Sequence, residues 1–237
     1  TPVTIPFWTY QNNMYVYPEA VNLSGQKAKN IGLRFIFRDS DDEAIDMATM
    51  GLQVFYGKSG CASRAREARS QVTYHNKEPV FSDEIKIGLP ARLHTRHHLV
   101  IAFHALALDP EKKKKEEAWT EQVIGFAVLP IYGNQRLIEN GSLQLPVVLT
   151  QKLEPRYLQK LANDTQHKEF QWAESGKPVF RLHLEALSTV YMQDPVLASL
   201  GKVYHFKEFF MDEELKDTLD KFGSVSPSLA MQHLPLL

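Results

Sequence analysis

Lysine side chains are concentrated in three segments that lie between apparent strands. The first segment, residues 22–30, contains no acidic residue at all. Ammonium groups attract phosphate, and each contributes about 1 kcal/mol near an anionic surface. If the three segments meet at one end of the fold, their lysines could surround a polyphosphorylated head group. The lysines of these segments are Lys27, Lys29, Lys77, Lys112, Lys113, Lys114 and Lys115.

A run of lysines also has a simpler interpretation as a solvated loop. Glu111, Glu116 and Glu117 partly neutralise the longest run. The whole chain has 27 Lys and Arg against 28 Asp and Glu, for a formal charge of -1. Attraction to anions must therefore come from local clusters, and this balance disfavours nucleic acid as a partner.

Histidines are the other candidates for chemistry, because imidazole is a common metal ligand. His94, His97, His98 and His104 occur close together, and the chain has a single cysteine, Cys61. On a strand, His97 and His98 point to opposite faces, and His104 lies about 20 Å from His98. We expect these histidines on an outer face or at a strand start, with no metal site. A hydrolase built around them or Cys61 is a third, weaker hypothesis.

The elements that must position these side chains are strands. Apolar residues alternate with polar ones at a period of two, which predicts half-buried antiparallel strands. We expect an all-β antiparallel sandwich of about eight strands, each with one face buried. The candidate strands are residues 14–21, 31–38, 52–56, 71–75, 84–89, 99–106, 123–129 and 180–186.

Two stretches depart from the strand pattern. The long connection between Ile131 and Lys177 contains a short helical candidate at residues 155–162, with Pro155 at or near its first turn. Beyond Asp194 the apolar spacing becomes mostly helical. We therefore expect a sandwich domain at residues 1–195 and a helical extension at residues 196–237.

Several short blocks, in one order, carry a family resemblance. They are Tyr15-Val-Tyr-Pro18, Lys29-Asn-Ile31, Phe55-Tyr-Gly-Lys58, Tyr74-His-Asn-Lys77, Asp83-Glu-Ile-Lys-Ile87, His97-His-Leu99, Val123-Ile-Gly-Phe126 and Leu187-Ser-Thr-Val190. Over about residues 14–195 the chain resembles the first DOCK-homology region. This region is the C2-like lipid-binding domain of the DOCK guanine nucleotide exchange factors, and the resemblance is closest to the zizimin-type branches.

The resemblance implies a C2-type sandwich whose loops at one end bind phosphoinositides and recruit the exchange factor to membranes. The loops would be residues 22–30, 75–83 and 107–121, which carry the seven lysines. Strand parity agrees with this arrangement if residues 52–56 continue the preceding strand. The domain would not be an enzyme, because exchange on Rho-family GTPases would belong to a separate region of the parent protein.

Calcium binding by C2 domains needs several carboxylates, and the first loop has none. We therefore expect calcium-independent binding, with no cofactor and no metal. The expected partners are a phosphoinositide-containing membrane and other regions of the parent exchange factor. The start of the chain does not resemble a signal peptide, so we expect a cytoplasmic, peripheral membrane location. The alternative is a protein docking platform that binds no lipid.

Overall fold

The computed structural model describes residues 8–192, apart from residues 24, 27, 29, 58–63, 77, 91, 109–118, 135 and 165–167. Contacts divide the chain into two units, residues 12–187 and residues 1–11 with 188–237. The second unit contributes only residues 8–11 and 188–192 to the described part, and both stretches are extended. The predicted boundary at residue 195 stays a prediction. The predicted helical extension, residues 196–237, lies outside the described residues.

The first unit is built from two antiparallel four-stranded sheets. The first sheet has the order β4-β1-β10-β9 and the second has the order β3-β2-β5-β6, while β7 and β8 form a small separate ribbon. The strands are β1 (Trp8–Val21), β2 (Ile31–Arg38), β3 (Ala68–Arg69), β4 (Ile85–Gly88), β5 (His98–Leu108), β6 (Trp119–Pro130), β7 (Tyr132–Gly133), β8 (Arg136–Leu137), β9 (Gly141–Leu145) and β10 (Phe180–Met192). The predicted all-β sandwich is confirmed.

The main core consists of the inward-facing side chains of both sheets. Met14 and Val16 of β1, Leu182 of β10, and Phe35 and Phe103 of the second sheet are all fully buried in it. On β4 and β10 the outward-facing residues remain partly or fully exposed, as the period of two predicted. The first sheet therefore has one buried face and one open face.

The second sheet is different, because every residue of β2 is buried. The prediction of one buried face was wrong for this strand. Its outer face lies under a second apolar cluster, which buries Ile36, Ile45, Val100, Ala102, Val123, Phe126, Val148, Leu153 and Tyr157. The cover comes from the segment after β2 and from the long connection before β10, neither of which has strand periodicity.

Two candidate strands are not regular strands. Residues 52–56 do not continue β2: the Leu52 N–H donates to Phe37 of β2 (2.8 Å), and the Tyr56 N–H donates to Lys86 of β4 (3.0 Å). This segment therefore crosses from the second sheet to the edge of the first. Residues 71–75 contribute one bridge, between Thr73 and Ile31. The sequence pattern also missed β9 and the two-residue strands.

The predicted short helix is present as α1 (Tyr157–Asn163), and Pro155 lies just before it. No side chain next to the helix caps its start. Instead, Asp41 supplies two acceptors from far away in the sequence: its carbonyl to the Arg156 N–H (2.7 Å) and its carboxylate to the Leu158 N–H (3.2 Å). Free N–H groups at a helix start need such partners, so the acidic segment after β2 holds α1 against the second sheet.

Candidate functional site

The seven predicted lysines all lie outside the described residues. The ends of the three loops that carry them are described, and these ends show where the loops start and finish. The register of β2 with β5 pairs Ile31 with Ala105, so the first loop ends beside the start of the third.

Asn30, the last residue of the first loop, ties all three loops together. Its side-chain amide donates to the Leu106 carbonyl (2.9 Å), and its carbonyl accepts from the Leu106 N–H (2.9 Å). Its side-chain oxygen accepts from the His75 N–H at the start of the second loop (3.0 Å). One side chain with both a donor and an acceptor therefore fixes the starts of the second and third loops beside the end of the first.

The far end of the second loop is fixed in the same way. The Val21 N–H donates to the Pro79 carbonyl (3.2 Å), and the Phe81 N–H donates to the Glu19 carbonyl (2.8 Å). The start of the first loop is thus next to the end of the second. All three loops adjoin the same end of the sandwich, in agreement with the parity argument.

The second loop also presents exposed apolar surface on both sides of Lys77. Tyr74 is 79% exposed and its ring stacks on His75, with centroids 4.7 Å apart, while Val80 is 66% exposed. Sequence reasoning did not identify these two residues, or Asn30, as part of the site. The available signal was an exposed-type aromatic residue beside a turn that already contained a candidate lysine.

The histidines do not converge. His98 is fully buried on the outer face of the second sheet, where its Nδ1–H donates to the Arg96 carbonyl (2.6 Å) and its Nε2 accepts from the Tyr157 hydroxyl. Burial lowers the pKa of His98 to about 4 and raises the pKa of Tyr157. His97 points to the opposite face, against Phe37. The expected outer-face position is correct for His98, but that face is covered.

His104 lies on the same covered face. Its Nδ1 is 2.9 Å from Glu121, but neither ring nitrogen forms a hydrogen bond among the described residues. Burial lowers the pKa of His104, so the ring is neutral at pH 7 and the contact is not an ion pair. The carboxylate of Glu121 pairs instead with Arg69 (2.9 Å).

Arg34 is the most buried cation of the described residues, with 1% exposure. It pairs with Glu67 (2.5 Å) and donates to the carbonyls of Met47 (2.7 Å) and Thr49 (2.6 Å). A buried charge must be paired and hydrogen-bonded to be tolerated, and these contacts satisfy Arg34. The cluster is structural and leaves no free cation for a ligand.

No group of three or more potential metal ligands occurs within the described part of the chain. Cys61, the other residue of the hydrolase hypothesis, lies outside it. Among the helices that the structure describes, none has the length and apolar character needed to cross a membrane.

The geometry defines a C2-type sandwich with three loops gathered at one end. Residues 7–196 match the family model described as the C2 domain in Dock180 and Zizimin proteins, and the chain belongs to this family. The recognition of a DOCK-type C2 region from the sequence blocks is confirmed.

Curated relatives agree. Dedicator of cytokinesis protein 8 from Homo sapiens is 36% identical over 87% of this chain, which corresponds to 10% of that protein. Dedicator of cytokinesis protein 9 from Mus musculus is 36% identical over 81% of this chain and 9% of that protein. The chain thus spans about a tenth of the length of these relatives.

One solved structure is a C2 domain of plant Extended Synaptotagmin 1. It aligns with a TM-score of 0.37 and 10% identity, over 77% of this chain and 98% of that one. The family assignment rests on the sequence matches.

Proposed function

We propose that this C2 domain binds phosphoinositide head groups without calcium and brings its parent protein to membranes. The parent would be a DOCK-type exchange factor for Rho-family GTPases, located in the cytoplasm, and exchange would occur in another of its regions. The phosphate contacts would come from Lys27 and Lys29 of the first loop, Lys77 of the second, and Lys112, Lys113, Lys114 and Lys115 of the third.

The observation that carries this proposal is the junction at Asn30. Because Asn30 holds the starts of the second and third loops beside the end of the first, lysines from all three loops belong to one end of the sandwich. Charges gathered at one end add up at a membrane surface, whereas charges at opposite ends cannot face the same bilayer.

Exposed Tyr74 and Val80 support a membrane rather than a dissolved anion as the ligand. Both belong to the loop that contains Lys77. Tyrosine favours the boundary between water and lipid, because its ring is apolar and its hydroxyl is polar. A lysine between two such side chains could contact a head group while they contact the interface.

The test is sedimentation with vesicles that carry single phosphoinositides, with and without a calcium chelator. Replacing Lys27 and Lys29 together by alanine should weaken binding about 30-fold, if each lysine contributes about 1 kcal/mol. The chelator should have no effect, and added salt should weaken binding because it screens exposed charges.

The matched control replaces Lys152 and Lys168 by alanine. Both are exposed and lie in the segments around α1, and Lys152 already pairs with Glu154 (3.1 Å). This variant has the same net charge as the test variant. Equal losses in both would reduce the effect to overall charge, and no binding by the folded wild type would favour the docking platform.

A further inference from the structure

Two cations on the open face of the first sheet lie around one tyrosine ring. The Nζ of Lys86 is 4.4 Å from the centroid of Tyr56, and the Cζ of Arg64 is 5.0 Å from it. Tyr15 contacts Lys86 as well, at 5.5 Å. The two cations can be no farther apart than the sum of their distances to the shared ring.

The backbone fixes this arrangement. In the register of β1 with β4, Tyr15 is directly opposite Lys86 and Asn13 is opposite Gly88. Tyr56 joins the same edge through its N–H, which donates to the Lys86 carbonyl (3.0 Å), and its hydroxyl donates to the Asn13 side chain (3.1 Å). Directly opposed residues on one face of a sheet are in contact, so the aromatic frame is part of the sheet.

Gly88 provides the space in which the Arg64 guanidinium lies. A Cβ at position 88 would be 2.4 Å from Arg64 Cζ, closer than atoms can approach. The guanidinium donates to the Gly88 carbonyl (3.3 Å) and to the Tyr56 hydroxyl (3.3 Å). Both bonds are long and neither partner is charged, so the guanidinium is oriented without being neutralised.

Neither Lys86 nor Arg64 has a carboxylate partner within the part of the chain that the structure describes. Other cations of the same sandwich do: Arg34 pairs with Glu67, Arg69 with Glu121, and Arg96 with Asp42. Two adjacent unpaired charges repel each other, and an anion between them would relieve that repulsion.

We propose that Lys86 and Arg64 form a binding site for a phosphate monoester carried by a protein partner, with Tyr15 and Tyr56 as its aromatic walls. Two cations match the double charge of a phosphate monoester. A guanidinium binds phosphate oxygens with two parallel hydrogen bonds, and an ammonium adds a point charge. The site is separate from the loop lysines, so it stands or falls independently of lipid binding.

A protein-borne phosphate fits this face better than a bilayer does. Glu84 accepts a hydrogen bond from Tyr17 on the same face (3.0 Å), and the charge of Glu185 also acts on Tyr17. These carboxylates would repel an extended anionic membrane but leave room for one phosphate group. Along β1, Tyr15 is also six residues from Val21 at the loop end, or about 20 Å.

Phenyl phosphate is the first probe, added to the folded 15N-labelled chain. We expect saturable shifts at the backbone N–H groups of Tyr56, Lys86 and Gly88, with weaker binding of inorganic phosphate, which cannot pack on the rings. Replacing Arg64 and Lys86 together by glutamine should weaken binding at least about tenfold, because each charged hydrogen bond contributes more than about 1.4 kcal/mol.

Two further variants separate geometry from charge. Gly88→Ala keeps both cations but displaces the guanidinium, so it should also weaken phenyl phosphate binding. The charge-matched control replaces Lys152 and Arg136 by glutamine, both of them exposed residues in surface ion pairs. This control should bind phenyl phosphate like the wild type.

Three results would overturn the proposal. One is the absence of saturable shifts, or shifts that survive in the Arg64 and Lys86 variant. Another is equal affinity for inorganic phosphate and phenyl phosphate. The last is an Arg64 and Lys86 variant that keeps phenyl phosphate binding but loses vesicle binding as severely as the Lys27 and Lys29 variant, which would make this face a membrane contact.

Discussion

Arg34 and Lys86 occupy comparable places on the two sheets: each is a cation in a strand and points away from the main core. Arg34 is buried, and Glu67 and two backbone carbonyls satisfy it. Lys86 contacts only tyrosine rings and has no ionic partner among the described residues. The same kind of residue thus stabilises the fold on one face and stays available to a ligand on the other.

The difference comes from what covers each sheet. On the second sheet, Ile45 pairs with Leu153, and Tyr157 of α1 reaches His98. No such layer lies over the first sheet in the described part of the chain. A cation on a strand is therefore a candidate binding residue only where the sheet has no second layer.

The largest expected effect is at Arg34. Arg34→Met should lower the free energy of unfolding by about 3–5 kcal/mol, because it leaves Glu67 and two carbonyls buried without their partner. Urea unfolding at pH 7 measures this loss. A loss below about 1 kcal/mol would show that water reaches this face, and that the two outer faces are not different in kind.

The next effect is the pH dependence that His98 confers. Burial lowers the pKa of His98 from 6.5 to about 4, so below pH 6.5 the unfolded chain binds a proton that the folded chain does not. Stability should be complete above pH 6.5 and fall by up to about 3 kcal/mol as the pH drops to 4.

Urea midpoints at pH 7.5 and pH 5 would measure this effect in the wild type and in His98→Gln. The variant should be less stable at pH 7.5 but should lose less on acidification. His183→Gln, on the open face of the first sheet, is the control and should retain the wild-type slope. A slope that His98→Gln leaves unchanged would assign the acid sensitivity to other groups.

The smallest effect should be at Lys86. Lys86→Met makes the same chemical change as Arg34→Met but removes no ion pair, so the free energy of unfolding should change by about 0.5 kcal/mol or less. The same urea series measures it. A loss comparable to that of Arg34→Met would give Lys86 a structural role and remove the main reason to regard the open face as a ligand site.

Much of the fold could be predicted because strand periodicity is local. The alternation at β4 and β10 and the short helix near Pro155 were predicted from neighbouring residues, and the structure has them. Residues 52–56 were misassigned because their apolar pattern does not say whether they extend a strand or cross between sheets. The covered face of β2 was missed because its cover comes from irregular segments.

The sequence by itself determined the strand pattern, the three lysine-bearing segments and the family, since each depends on residue types at short spacing. Only the tertiary structure decided which faces are open, how Asn30 gathers the loops, and that Arg64 lies beside Lys86 over Gly88. Those features join residues from separate segments of the chain. Which side chains meet is set by sheet register and burial, and no local pattern specifies either.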